Sequence, residues 1–259
     1  MQYFVRPDSV VKSIWGDADV ILLIFAGSAG EFALNRAVDW LFFTGKLPAD
    51  PIGRLFSTVR YAQEIVFSDK ESAERAIARI HAIHGGVEKS RGQRIPDWAY
   101  RDVLYMLIDY SERAYQLLHR PLTLSEKEEV YDVFRRVGEG LQIPDLPKTY
   151  ADWLVDRRSH IRRDLAYSIY TKRLFERYRE ELGPWRYNLL LQSQSLLVPE
   201  RVHRLLDLPP KPLLASTMWL YKVLNRLGLR SMVQRALLPA EYLKDIRNLD
   251  REVVSTPDL

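Results

Sequence analysis

Apolar residues recur along this chain at intervals of three and four, the period of a helix with one buried face. In 51–67, Ile52, Leu55, Phe56, Val59, Ala62 and Val66 make one such stripe. The pattern predicts helices over 8–15, 18–43 with an interruption around Gly27–Gly30, 51–67, 69–84, 97–118, 126–141, 150–163, 168–182 and 184–192. Helix-start chemistry agrees with it. Ser68 with Glu71, Ser125 with Glu128 and Thr149 with Asp152 have capping-box spacing, and Asp50-Pro51 sets an N-cap before a first-turn proline. Gly45, Gly85-Gly86 and Gly183 are expected to stop helices, which leaves GGVEKSRGQR (85–94) as a basic loop. No alternating β-branched runs are joined by a hairpin dipeptide, so the fold class is all-α.

Towards the C-terminus Pro199, Pro209, Pro210, Pro212 and Pro239 break the pattern into shorter helices. LLVPERVHRLL (196–206) and LLPAEYLKDIR (237–247) read as similar helix starts. No stretch reads as a flexible linker. The organisation expected is a single multi-helix domain, 1–190, with a helical extension, 191–259, packed on it.

The 259 residues are 47% hydrophobic and 28% charged, a globular balance that excludes extensive disorder. A formal charge of +4, scattered along the chain, gives no reason to expect a nucleic-acid partner. The absence of cysteine excludes disulfides, thiolate catalysis, Cys-ligated zinc and iron–sulfur clusters. The longest strongly apolar stretch, VILLIFAGSAG, has 11 residues, whereas a bilayer span needs roughly 20. With Asp8, Asp17 and Asp19 before it and no small-residue cleavage pattern after it, a signal peptide is not expected and a cytoplasmic location is.

Histidine is the scarce resource, with His81, His84, His119, His160 and His203. His81 and His84 share a helix face with Ile77 and Ile80, which suits either helix-end packing or donation of an imidazole nitrogen to a metal or haem iron. A di-iron site would need two Glu-x-x-His pairs, and only Glu200 with His203 has that spacing. No HExxH, P-loop, GxGxxG or GxSxG motif is present. On 51–67, Arg54, Thr58, Tyr61 and Ile65 run beside the core stripe, either as an amphipathic border or as the lining of a pocket.

The succession of Trp15-Gly16-Asp17, an apolar helix, RLFST (54–58), RIHAIHGG (79–86), PLTLSEKE (121–128) and KTYADW (148–153) resembles the MpaB-type and rubber oxygenase family, which includes the latex clearing proteins. The resemblance runs over roughly 10–165 and carries on into the more variable C-terminal region. It implies a globin-like helical core that holds haem b and uses dioxygen, with characterised members cleaving C=C bonds of isoprenoid chains. It places the proximal iron ligand on His81, five residues before Gly86, and sets Arg54 and Thr58 around the haem. Where latex clearing proteins carry a lysine before that threonine, this chain has Ser57, so the distal iron position and the substrate should differ. A small diffusible unsaturated hydrophobic molecule is then the expected substrate, and Asp39 in AVDW a candidate acid/base group. The alternative is a non-catalytic helical protein that binds a hydrophobic ligand, with TMWLYKVLNRLGLRSMVQRALL (217–238) docking on a membrane surface or a partner.

Overall fold

A computed structural model describes residues 2–43, 50–210 and 250. Among them there is no strand, only isolated bridges joining Tyr3 to Asp69 and Asn35 to Leu165. The chain forms α1 (Val10–Trp15), α2 (Ala18–Leu34), α3 (Asp39–Phe43), α4 (Pro51–Phe67), α5 (Lys70–Arg91), α6 (Asp97–Leu118), α7 (Leu124–Gly140), α8 (Tyr150–Arg163), α9 (Ile169–Leu197) and α10 (Glu200–Leu205). The all-α class is therefore as expected.

Two helices form the centre. α2 starts on Asp17, whose carboxylate accepts from the amides of Asp19 and Val20, and it buries residues around its whole circumference. α6 is likewise enclosed, with Leu104, Tyr105, Met106, Ile108 and Tyr110 all buried. The two pack along their length, and both halves of α9 lie on α2, Leu174 and Tyr178 against Ala29 and Ala33 and Gln194 against Gly30. α1, α7 and α8 close the remaining faces, and Trp15, Trp153 and Tyr105 fill the space between with fully buried rings. α4 and α5 form a hairpin through Ser68-Asp69 against this body.

Three local expectations need correction. α2 does not break at Gly27–Gly30; it ends at Asn35, which is extended at ψ 133°. The glycines serve close approach instead: a Cβ on Gly27 would lie 2.4 Å from the Tyr110 ring, and one on Gly30 would lie 3.0 Å from Gln194. The predicted loop at 85–94 is also mostly helix. Gly85 and Gly86 stay inside α5, and the stop comes at Gly92, left-handed at φ 68°, whose amide donates to the carbonyls of Glu88 and Lys89. Two capping boxes shift as well. α5 starts on Asp69, which accepts from the amide of Ser72, while Ser68 closes α4. α7 starts on Thr123, paired reciprocally with Glu126. The Thr149 and Asp50 caps are where the sequence put them.

Gly183, at φ 70° and ψ 170°, and Pro184 kink α9 as expected, but the helix runs on to Leu197. The expected boundary at residue 190 thus falls inside a helix whose end packs on α2. Gly45 and the segments 217–238 and 237–247 lie outside the described residues. No helix among the described residues is long and apolar enough to cross a membrane.

The two kinds of glycine respond oppositely to a methyl group. Nothing lies within 4 Å of a Cβ at Gly85, so Gly85→Ala removes only backbone freedom inside a helix and should stabilise the fold by about 0.5–1 kcal/mol. Gly27→Ala presses on a ring that cannot move away and should cost about 1–3 kcal/mol. Urea-unfolding midpoints of the two variants check both signs, and a destabilised Gly85→Ala would restore the loop.

Candidate functional site

α5 carries its inward face on Ala73, Ala76, Ile77, Ile80, His84, Val87 and Arg91, each buried or half-buried. His84 lies on this stripe, its ring 5.2 Å from that of Tyr100 on α6. His81, about 60° away round the helix, is exposed, and its Nδ1 lies 3.0 Å from the carbonyl oxygen of Leu141 beyond the end of α7. The helix period puts the two histidines on one face, and their neighbours separate them.

Two turns on from His84, Arg91 donates from Nη2 to Asp39 at 2.6 Å and stacks on Trp40, 4.0 Å from the ring centroid. Its Nη1 is buried with no hydrogen-bond partner. Asp39 is thus an ion-pair carboxylate at the start of α3. Phe43, its ring 5.3 Å from the Arg91 guanidinium, leaves apolar surface uncovered, as do Ile83 on α5 and Val103 on α6. On α4, Ser57 and Thr58 are half-buried, while the side chain of Arg54 lies outside the described residues. The Glu64–Arg79 ion pair ties α4 to α5.

A second polar region, unforeseen in the sequence, runs through the core where α2, α6 and α8 meet. Arg157 of α8 is 4% exposed and grips Glu31 of α2 with both terminal nitrogens, at 2.5 and 2.7 Å. The same guanidinium donates to Asp109 of α6 at 3.0 and 3.1 Å, and Arg113 adds a bond to that carboxylate at 2.6 Å. Tyr110 donates its hydroxyl to Glu31 at 2.8 Å. Burial alone would push the Asp109 carboxyl up, but Arg157 and Arg113 pull it below its usual range. Burial, reinforced by Glu31, holds the Tyr110 hydroxyl protonated.

One turn further along α8, His160 is 1% exposed and ringed by carboxylates. Its Nδ1 lies 2.5 Å from Asp102 and 3.0 Å from Asp164, and its Nε2 lies 3.6 Å from Asp156. Burial pushes the Asp102 carboxyl up against the opposing pull of His160. At the other end of the seam Tyr150 donates to Glu112 at 2.9 Å, and the other oxygen of Glu112 has no partner. The traces of this region in the sequence are charges at core positions: Asp102 and Asp109 seven apart, and Arg157, His160 and Asp164 at three- and four-residue spacing. Of the other histidines, His119 pairs with Asp17 at 2.9 Å, and His203 lies 3.1 Å from Ser195.

Removing Arg157 would leave Glu31 buried without a counter-charge while Asp109 keeps Arg113, so Arg157→Leu should cost about 3–5 kcal/mol. Arg157→Lys should recover only part, since an ammonium cannot fork between both acids. Urea unfolding measures both. Glu112 gives a pH signature. Burial raises its carboxyl to about 7 from the ordinary 4.5, so its contribution is intact below the lower value and is lost as pH rises through the higher one. Wild-type protein should therefore lose about 3 kcal/mol between about pH 4.5 and about pH 7.5 from this group, and Glu112→Gln should flatten that slope. Unfolding free energies across the range check this.

Comparison with known proteins bears on the first of these regions. No curated protein and no solved structure matches the chain. The family described as "ER-bound oxygenase mpaB/B'/Rubber oxygenase, catalytic domain" matches residues 14–227. That span takes in both histidines of α5, the RLFST segment and the charged core, and the chain belongs to this oxygenase family.

Proposed function

We propose that the protein is a haem-dependent oxygenase that acts on a small unsaturated hydrophobic molecule, with His84 as the axial ligand. One observation carries the reading: His84, on the inward stripe of α5, and the unpartnered Nη1 of Arg91 two turns away stand in one apolar corner. A haem asks for an axial nitrogen on a rigid element, apolar contact for its ring and cations for its propionates. The first is met by His84. Trp40, Phe43, Ile80 and Tyr100 suit the second. The buried donor of Arg91 suits the third. His81 is exposed and its Nδ1 is engaged at the Leu141 carbonyl, so this reading sets the ligand on His84 rather than on His81.

The bound group would supply dioxygen chemistry, directed in this reading to oxidative cleavage of a C=C bond. The chain's own residues bind and orient. Arg91, already fixed by Asp39 and Trp40, can hold an anionic edge without rearranging. Asp39 is occupied by that guanidinium and serves as a positioning residue rather than as an acid or base. Thr58, half-buried on α4, offers a hydroxyl, and Ser57 offers no amine where latex clearing proteins have lysine. Arg54, which the family resemblance sets around the haem, is the candidate second cation. The uncovered apolar surface of Phe43, Ile83 and Val103 suits an uncharged hydrophobic substrate. A cytoplasmic location fits such a diffusible substrate.

Hemin titration of the purified protein, followed by visible absorption, tests this. Wild type should take up one equivalent and give a Soret band, His81→Ala should do the same, and His84→Ala should lose it. Arg91→Ala should weaken retention about ten- to a hundredfold, the loss of one charge-assisted bond. Loss of binding in His81→Ala alone would return the ligand to that residue. A colourless wild type would leave the non-catalytic binding protein as the reading.

A further inference from the structure

The core around His160 has a charge problem that the Arg157 cluster does not. There, two carboxylates meet two guanidinium groups. Around His160 stand three carboxylates, Asp102, Asp156 and Asp164, and one guanidinium, that of Arg163, bonded to Asp164 at 2.7 and 2.8 Å. Asp102 and Asp164 are 2% and 6% exposed and converge on a single ring nitrogen. One N–H cannot serve two acceptors fully, and even a charged imidazole leaves the three carboxylates one positive charge short, with Asp156 at the 35% exposed rim. A dication beside a neutral imidazole closes the count.

The geometry points the same way. One ligand atom from each of Asp102, His160 and Asp164 lies within 4.8 Å of the others. The two oxygens stand 2.5 and 3.0 Å from Nδ1, hydrogen-bond distances that open to about 3.4 Å, the edge of a tetrahedron with bonds near 2.1 Å, when an ion enters. The outer atoms are held in the manner of metal ligands. The amide of Asn35 donates to the second oxygen of Asp102 at 2.7 Å. Arg163 bonds both oxygens of Asp164, the one facing Nδ1 included, so it orients that carboxylate and shares its ligand oxygen. The far nitrogen of the imidazole faces Asp156, which is itself oriented by the Tyr105 hydroxyl at 2.8 Å. The ligands come from α6 and from α8 and its C-cap, so binding would clamp two helices of the core.

We propose that Asp102, His160 and Asp164 bind a divalent transition-metal ion, one nitrogen and two carboxylate oxygens suiting zinc or manganese, at a site separate from the α5 corner. The bound ion is structural: the site is closed to solvent and lies away from the uncovered apolar surface.

Zinc is the probe. Chelator-treated protein is titrated calorimetrically, then dialysed, and its zinc is measured by elemental analysis. Wild type should retain one equivalent and melt at a higher temperature with zinc than without. Asp164→Asn and His160→Gln should each bind at least tenfold more weakly, with haem content, read separately from the Soret band, unchanged. If His160→Gln does not fold, Asp164→Asn, whose side chain sits at the edge of the cluster, carries the comparison. Wild type that takes up no zinc, or takes it up no more tightly than Asp164→Asn, overturns the proposal and leaves a proton-loaded ion-pair network. Neither result depends on whether haem binds.

Discussion

A single guanidinium sets the register of the core. Arg157 stands where three helices meet, and each of its partners comes from a different one, Glu31 from α2 and Asp109 from α6. Taking these three charges out of water is expensive, and only complete pairing offsets it. A slip of one residue along α2, α6 or α8 would leave a charge buried and unpaired, so alternatives that hydrophobic packing alone would tolerate are excluded. The approach of Tyr110 to the backbone at Gly27 follows from this. The ring must lie flat against α2 for its hydroxyl to reach Glu31, and only glycine leaves room for it.

α6 divides the chemistry of the molecule. Asp102, Asp109 and Glu112 join the charged seam towards α2 and α8, while Tyr100 turns to His84 on α5. The seam is enclosed, and almost every group in it is spoken for. The α5 corner has uncovered apolar surface and a spare buried donor. Stability and registry belong to the first region, and the proposed ligand capture would belong to the second.

How much of this the sequence discloses depends on range. Helix existence follows from the three-and-four period, and the Asp50 and Thr149 caps from local hydrogen bonding. Gly85-Gly86 misleads because glycine stops a helix by adopting positive φ, and which of three glycines does so is settled by what packs nearby; only Gly92 adopts it here. Gly27 and Gly30 mislead for the converse reason, their purpose lying in Tyr110 and Gln194, far away in the chain. His81 and His84 are three residues apart on one stripe by sequence, and only the neighbours of α5 decide which faces inward. The charged seam is the least legible. Asp102 and His160 read as surface residues until their helices are brought together.

The last turns of α5 have a different kind of stability from the core. Open space lies beside Gly85 and Gly86, and beyond them the helix is held by Arg91 on Asp39 and Trp40, and by Glu88, which accepts from the Ile95 amide and the Tyr100 hydroxyl. A segment held by a few contacts at its end opens at a fraction of the free energy of global unfolding. On the proposed reading, entry and exit of a group seated against His84 would need only this short stretch to fray, with the Arg157 junction intact. Its exchange rate would then follow the glycine pair and the Arg91 anchor, and could be tuned by evolution without touching the ligand or the core.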